Sequence, residues 1–136
     1  MVQGVAELKK RFARVIAGAE RDALAAIERG MTRVAADTER LAPEDDGDLK
    51  ASARVEPFDR IFKGYPYKGF GVRYGGLEST KVALKGGTAT IDNAALQEFG
   101  TQEMTANPAL FPAYRAQRKS IRAAVARAVR LALKNG

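Results

Sequence analysis

Between Val5 and Leu41 the apolar residues Val5, Leu8, Phe12, Val15, Ile16, Ala19, Ala23, Ile27, Met31, Val34 and Leu41 return at steps of three and four. At 100° per residue they fall on one stripe, with Glu7, Arg11, Arg14, Arg21, Arg29 and Asp37 opposite, which predicts a long amphipathic helix. No proline interrupts it, and Gly18 and Gly30 are the places where it would bend. Unbroken it is about 55 Å long. That is long for a chain of 136 residues, so part of the stripe is expected to pack on another subunit.

Pro43 stops this helix, and Glu44-Asp45-Asp46-Gly47-Asp48 is read as a turn in which Gly47 permits a tight reversal. From Leu49 to Phe58 apolar and polar residues alternate, predicting a strand with Pro57 at an edge or at its end. Arg60 to Gly69 reads as a loop, and Phe70, Val72 and Tyr74 as a second strand. Gly75-Gly76 and Gly86-Gly87 bracket a third strand, Lys81 to Leu84, and Thr88 to Ile91 is a short fourth. Asn93 to Phe99 is predicted as a short helix capped by Asp92 or Asn93 and ended by Gly100. Helical periodicity resumes at Pro112, with Ile121, Ala124, Val125, Ala128, Leu131 and Ala132 on one face. The expected architecture is α+β in one domain, 1–136: a long first helix, an antiparallel sheet of three to four strands, a short helix and a basic last helix.

Charge changes this picture at one end. Residues 1–103 hold 16 basic and 16 acidic side chains, whereas Arg115, Arg118, Lys119, Arg122, Arg127, Arg130 and Lys134 follow with no acid among them. The whole net charge of +7 therefore sits on the last helix. A basic end segment suits a polyanion or an acidic protein surface, or it is a solvated helix face. Arg115, Lys119, Arg122, Arg130 and Lys134 are its candidate partner-facing or DNA-facing residues.

Composition narrows the chemistry. Cysteine and histidine are both absent, which removes thiol nucleophiles, thiolate or imidazole metal sites and the commonest general base. No phosphate-binding glycine loop is present. An enzyme, a bound cofactor or a bound metal is accordingly not expected. Glu44, Asp45, Asp46 and Asp48 form the one carboxylate cluster, without the ligand order of a calcium loop, and are read as a polar turn. The longest uncharged stretch, Met104 to Tyr114, has 11 residues, well short of a membrane span, and no apolar leader is read at the start. Phe62, Tyr65, Tyr67 and Phe70 interleave with Lys63 and Lys68. Such a loop either stacks on single-stranded nucleic acid or packs its rings on its own sheet or a neighbouring subunit; the latter is preferred.

Two segments carry a resemblance. Leu41 to Ser52 reads LAPEDDGDLKAS, and Ala95 to Ala113 reads ALQEFGTQEMTANPALFPA. Their order and spacing resemble a virion protein family of long-tailed bacteriophages, the head–tail joining or tail-completion proteins of the neck, which also occur in gene transfer agents and prophage remnants. Leu41, Ala42, Pro43, Asp45, Gly47, Leu49 and Ser52 match the first block. Glu98, Phe99, Gly100, Thr101, Met104, Ala106, Pro108, Leu110, Pro112 and Ala113 match the second. Asp46 and Ala109 depart from it, and Leu96 and Gln97 lack the aromatic character usual before Glu98.

The resemblance implies a structural protein of the virion, made in the host bacterial cytoplasm. It implies a ring, of six subunits by family likeness, between the head-to-tail adaptor or connector and the tail terminator or tail tube, with DNA passing through. A small basic nucleic-acid-binding protein using the last helix is the alternative, and a hydrolase using the acidic turn is the weakest. No membrane partner is implied. Independently of the family, Pro43, Gly47, Gly100, Pro108 and Pro112 read as residues that steer the chain.

Overall fold

The computed structural model describes residues 2–44, 47–83 and 89–136, so Asp45, Asp46 and the expected strand end at Leu84, with Gly86-Gly87 and Thr88, lie outside the described residues. The first helix, α1, runs unbroken over Val2–Leu41, about 60 Å at 1.5 Å per residue. Neither Gly18 nor Gly30 breaks it. Gly30 has a different use. A Cβ built on it would overlap the Ile121 side chain of the last helix, α4 (Leu110–Asn135). The missing side chain lets two helices close on each other at that point.

The helices run antiparallel. Gln117 donates to the Asp37 carboxylate at 3.0 Å near one end of the pair, and Arg11 donates to the Gly136 carbonyl at 3.0 and 3.2 Å near the other. Around the Gln117–Asp37 end Val34, Ala113 and Ile121 form the core, with Met31, Val72, Leu110 and Val125 packed on it. Each element therefore contributes only a few side chains to one small core, which α1 serves from its carboxyl-terminal half.

Gly47–Ala51 is a short helix, α2, rather than the start of a strand. Leu49 and Ser52 are both fully buried, a spacing of three that suits a helical turn and not a pleated strand. Ser52 Oγ donates to the Leu49 carbonyl at 2.6 Å and accepts from Gly75 N at 2.8 Å, which ties α2 to the far end of the hairpin. The first strand, β1, is Arg54–Phe62, and the second, β2, is Tyr65–Arg73. They pair antiparallel from Arg54↔Arg73 to Phe62↔Tyr65. The expected loop from Arg60 to Gly69 is thus mostly strand. Lys63 and Gly64 alone make the turn, with φ of 50° and 81°, the two left-handed residues of a tight two-residue hairpin. In a two-stranded ribbon every strand is an edge, so Pro57 fits opposite Phe70.

After a 3-10 turn at Glu78–Thr80, β3 (Lys81–Ala83) pairs antiparallel with β4 (Thr90–Asp92). The strands form two separate two-stranded sheets, not one sheet of three to four. The physical reason lies at Gly75-Gly76, both with φ above 70°, which turn the chain out of the β2 line before β3 can join it. Asp92 then holds the corner by accepting from Gly76 N and from Thr80 Oγ1. The short helix α3, Asn93–Phe99, starts with Asp92 as its cap, whose Oδ1 accepts from Ala94 N at 2.9 Å. The architecture is mixed α+β, with one long and one basic helix flanking the sheets.

Substituting Ile121 by Ala should cost about 2–5 kcal/mol, because the side chain is buried in the core and the gap against Gly30 cannot collapse. Gly30→Ala, ordinarily a helix-favouring change, should here also destabilise, because Gly30 is buried against Ile121. Thermal or urea unfolding of both variants measures this; a more stable Gly30→Ala protein would contradict the close approach.

Candidate functional site

The residues of the second family-like block build a junction. Glu98 lies near the end of α3 and is buried, while α4 begins with Ala109 as a cap residue that has no side-chain acceptor. The Glu98 carboxylate supplies what Ala109 lacks. It accepts from Ala109 N and Leu110 N at 2.5 Å each and from Phe111 N at 3.4 Å. Three amides that a helix start leaves unpaired thus share one anion, which the helix dipole also favours. Pro112, in the same first turn, needs no N–H partner.

The chain between the two helices is folded to bring Glu98 there. Gly100 takes φ of 70°, and a Cβ on it would stand 2.7 Å from the Met104 carbonyl and 2.8 Å from Ala106 N. Thr101 Oγ1 accepts from Met104 N at 3.0 Å and from Glu103 N at 3.2 Å. Asn107 N donates to the Gln97 carbonyl at 2.6 Å, and exposed Pro108 leads into Ala109. Of the first block, Pro43 follows α1, Gly47 opens α2 in open space, and buried Leu49 anchors it. Glu44 and Lys50 form an ion pair at 3.7 Å across that turn.

Beside the junction sits Tyr74. Its hydroxyl is buried and has no hydrogen-bond partner among the described residues. Burial first, then the charges of Glu98 and Asp92, push its pKa up to about 12. The phenol is held neutral by its surroundings and does no acid–base work near neutral pH.

The basic residues named from sequence are all on the surface. Arg115, Lys119, Arg122, Arg130 and Lys134 are exposed along α4, as are Arg118 and Arg127. Among the described residues none of the seven forms an ion pair with a carboxylate. Arg130 donates only to the Ala126 carbonyl of its own helix, at 3.3 Å. On the opposite face Ile121 is buried and Val125, Ala128 and Ala132 are half-buried, but Leu131, expected on the core side, is 51% exposed.

The aromatic segment divides. Phe62, Tyr65 and Tyr67 are exposed with Ile61 at the tip of the β1–β2 hairpin, and Lys63 Nζ stands 5.6 Å over the Phe62 ring. Phe70 does not belong with them. It is half-buried and lines a crevice with Ala17 and Leu24 of α1. Lys68 reaches Glu20 of α1 at 3.5 Å, which sets the point where the ribbon leaves the helix. A further apolar surface escaped the sequence reading. Phe99 and Phe111 stack at 5.9 Å between centroids, and both are exposed with Tyr114.

Comparison with protein-family models, with curated proteins and with solved structures returns no match to this chain. The functional argument therefore rests on its own residues.

Glu98→Ala should cost about 1–3 kcal/mol by leaving three amides without their acceptor, and Glu98→Gln, which keeps one oxygen, should cost less. Unfolding curves of the two variants test the order. Tyr74→Phe should leave stability at neutral pH unchanged or raise it, by up to about 1 kcal/mol, because it removes a buried unpaired hydroxyl. The wild-type contribution is complete below pH 10.0, the unfolded value, and is lost as pH rises through about 12. Lys81, raised by its hydrogen bond to Glu78, titrates in both proteins, so the difference between the two alkaline stability profiles isolates Tyr74.

Proposed function

We propose that this protein is a structural subunit of the neck of a long-tailed bacteriophage or a related particle, one member of a ring between head connector and tail tube through which DNA passes. The observation that carries the reading is a surface suited to being covered. Apolar side chains stand exposed in three places: the amino-terminal half of α1, the hairpin tip and the Phe99–Phe111–Tyr114 patch. A solitary soluble protein rarely keeps several such patches, whereas a subunit awaiting its neighbours does. The family-like residues support it in a second way. Glu98, Gly100, Thr101 and Leu49 are spent on joining elements, which is what a structural subunit requires of them.

In this reading the hairpin tip with Phe62, Tyr65 and Tyr67 is a subunit contact, and the ring, expected to be sixfold, assembles on neighbouring neck proteins. The basic face of α4 meets an acidic surface of such a neighbour. Protein is preferred to DNA there because a channel that lets DNA slide gains nothing from a tight polycation lining. A nucleic-acid-binding protein is the second reading, and the seven exposed cations without ion-pair partners favour it.

Reversing Arg115, Arg122 and Arg130 to Glu should keep the fold, within about ±0.5 kcal/mol per site, because all three are exposed. It should block joining of heads to tails, counted by electron microscopy of particles assembled with the variant. Normal joining would reduce this face to a solvated one. DNA affinity that falls steeply with salt and vanishes in the variant, with no copies at the head–tail junction of intact particles, would favour the second reading instead.

A further inference from the structure

Val5, Leu8, Phe12, Val15 and Ala19 are spaced by 3, 4, 3 and 4 residues, the repeat of a helix seam made to receive another helix. On the helical wheel they continue the line of Ala23, Ala26, Gly30 and Val34, which α4 and the hairpin cover. Toward the amino terminus the cover ends. Val5 is 54% exposed, Leu8 51%, Phe12 58% and the adjoining Ile16 63%. The core stripe of α1 thus runs on without a third layer for about 17 Å beyond the packed half.

What borders the seam is cationic. Lys9 and Arg11 flank it on its two sides, each about 80° from its centre at 100° per residue, and Glu7 is the one acid between residues 5 and 19. Where α4 ends beside α1 there is a cleft of about 530 Å³. Val15, Leu131 and Ala132 give it an apolar lining; Arg21 there pairs with Asp22 at 3.2 Å, and Arg11 and Arg14 supply guanidinium groups with no side-chain carboxylate partner among the described residues. Seam and cleft make the same demand: apolar side chains at helical spacing, with carboxylates beside them.

Neither the hairpin tip nor the Phe99–Phe111–Tyr114 patch answers that demand. The hairpin tip is bordered by Arg60, Lys63 and Lys68, and the Phe99–Phe111–Tyr114 patch is followed by Arg115 and Arg118. A second α1 would bring Lys9, Arg11 and Arg14 against their own copies. DNA supplies negative charge but nothing for a seam of Val, Leu, Phe and Ile.

We propose that the amino-terminal half of α1, with the cleft at the end of α4, docks an amphipathic helix of another protein whose apolar seam is bordered by Asp and Glu. The inference does not rest on the neck reading, and its test uses the isolated full-length chain, so particle assembly does not enter. The probe is a synthetic three-heptad helix with Leu in the seam and Glu on both borders. Two controls are the same seam with Lys borders and the same composition with the seam scrambled. Fluorescence anisotropy should show saturable binding of the acidic helix alone. Leu8→Asp with Phe12→Asp should weaken it by about tenfold or more. Lys9→Glu at the seam and Arg14→Glu at the cleft together should transfer the preference to the Lys-bordered helix; Arg11 is kept because it holds the end of α4. These positions are exposed, so the melting temperature should not move, and it is measured alongside. Equal binding of the scrambled helix, or no binding of any helix, would overturn the proposal. So would a dimer in sedimentation equilibrium that Phe12→Asp abolishes, because the occupant would then be a second copy. A DNA duplex that binds the wild type but not the Leu8→Asp/Phe12→Asp protein would overturn it too.

Discussion

Ile121 lies where a side chain on residue 30 would otherwise stand, and the rest of the structure is arranged around that approach. It fixes how closely α4 lies on α1 and, with the Gln117–Asp37 hydrogen bond, the register of the pair. Val72 of the hairpin joins the same small core from the other side. Because α1 is much longer than the elements that pack on it, contact made near its carboxyl-terminal half leaves the other half with nothing to cover its stripe. A fully buried Leu, Val or Phe contributes about 1.5–3 kcal/mol relative to an exposed one. Four such side chains left in water are therefore a sizeable reserve of free energy for association.

The polar groups inside the fold are used differently. Glu98, Asp92 and Ser52 each tie together segments that the sequence keeps well apart: α3 with the start of α4, the Gly75-Gly76 turn with α3, and α2 with the end of β2. Each is a side-chain oxygen taking backbone amides at a chain reversal, where regular hydrogen bonding stops. Tyr74, beside Glu98 and Asp92, keeps its proton because burial and these two charges disfavour its phenolate. The residues that carry the family resemblance are thus architectural.

Where the hydrophobic period was long, the sequence was enough. Forty residues of 3.6-fold repetition made α1 legible, and Asp92 and Gly100 marked both ends of α3. Short segments misled. Around α2, Leu49 to Val55 alternates well enough to pass for a strand, and only the joint burial of Leu49 and Ser52 reveals the turn of helix. Lys63-Gly64 is a weaker turn signal than Asn-Gly, so the hairpin arms were taken for a loop. The division into two sheets follows from backbone angles at Gly75-Gly76 that no pattern of apolar residues encodes. For the candidate surfaces, exposure of the cationic face was legible from periodicity. That Leu131 points outward was not, because it sits in an apolar run whose covering depends on where another element ends.

That dependence also bears on why the surface charge is distributed as it is. An exposed apolar surface is a hazard, since any copy of the same chain can adhere to it. Here each such surface carries cations at its border, while the acids balance the bases over residues 1–103 and are absent from the last helix. Like charge along the α1 seam makes a second α1 a poor partner at that surface and leaves an acidic one as the good partner. Net charge and apolar exposure, which look like separate features of the composition, then work as one selection rule. The unburied stripe of α1 supplies affinity without discrimination, and Lys9 and Arg11 at its borders supply discrimination with little affinity of their own.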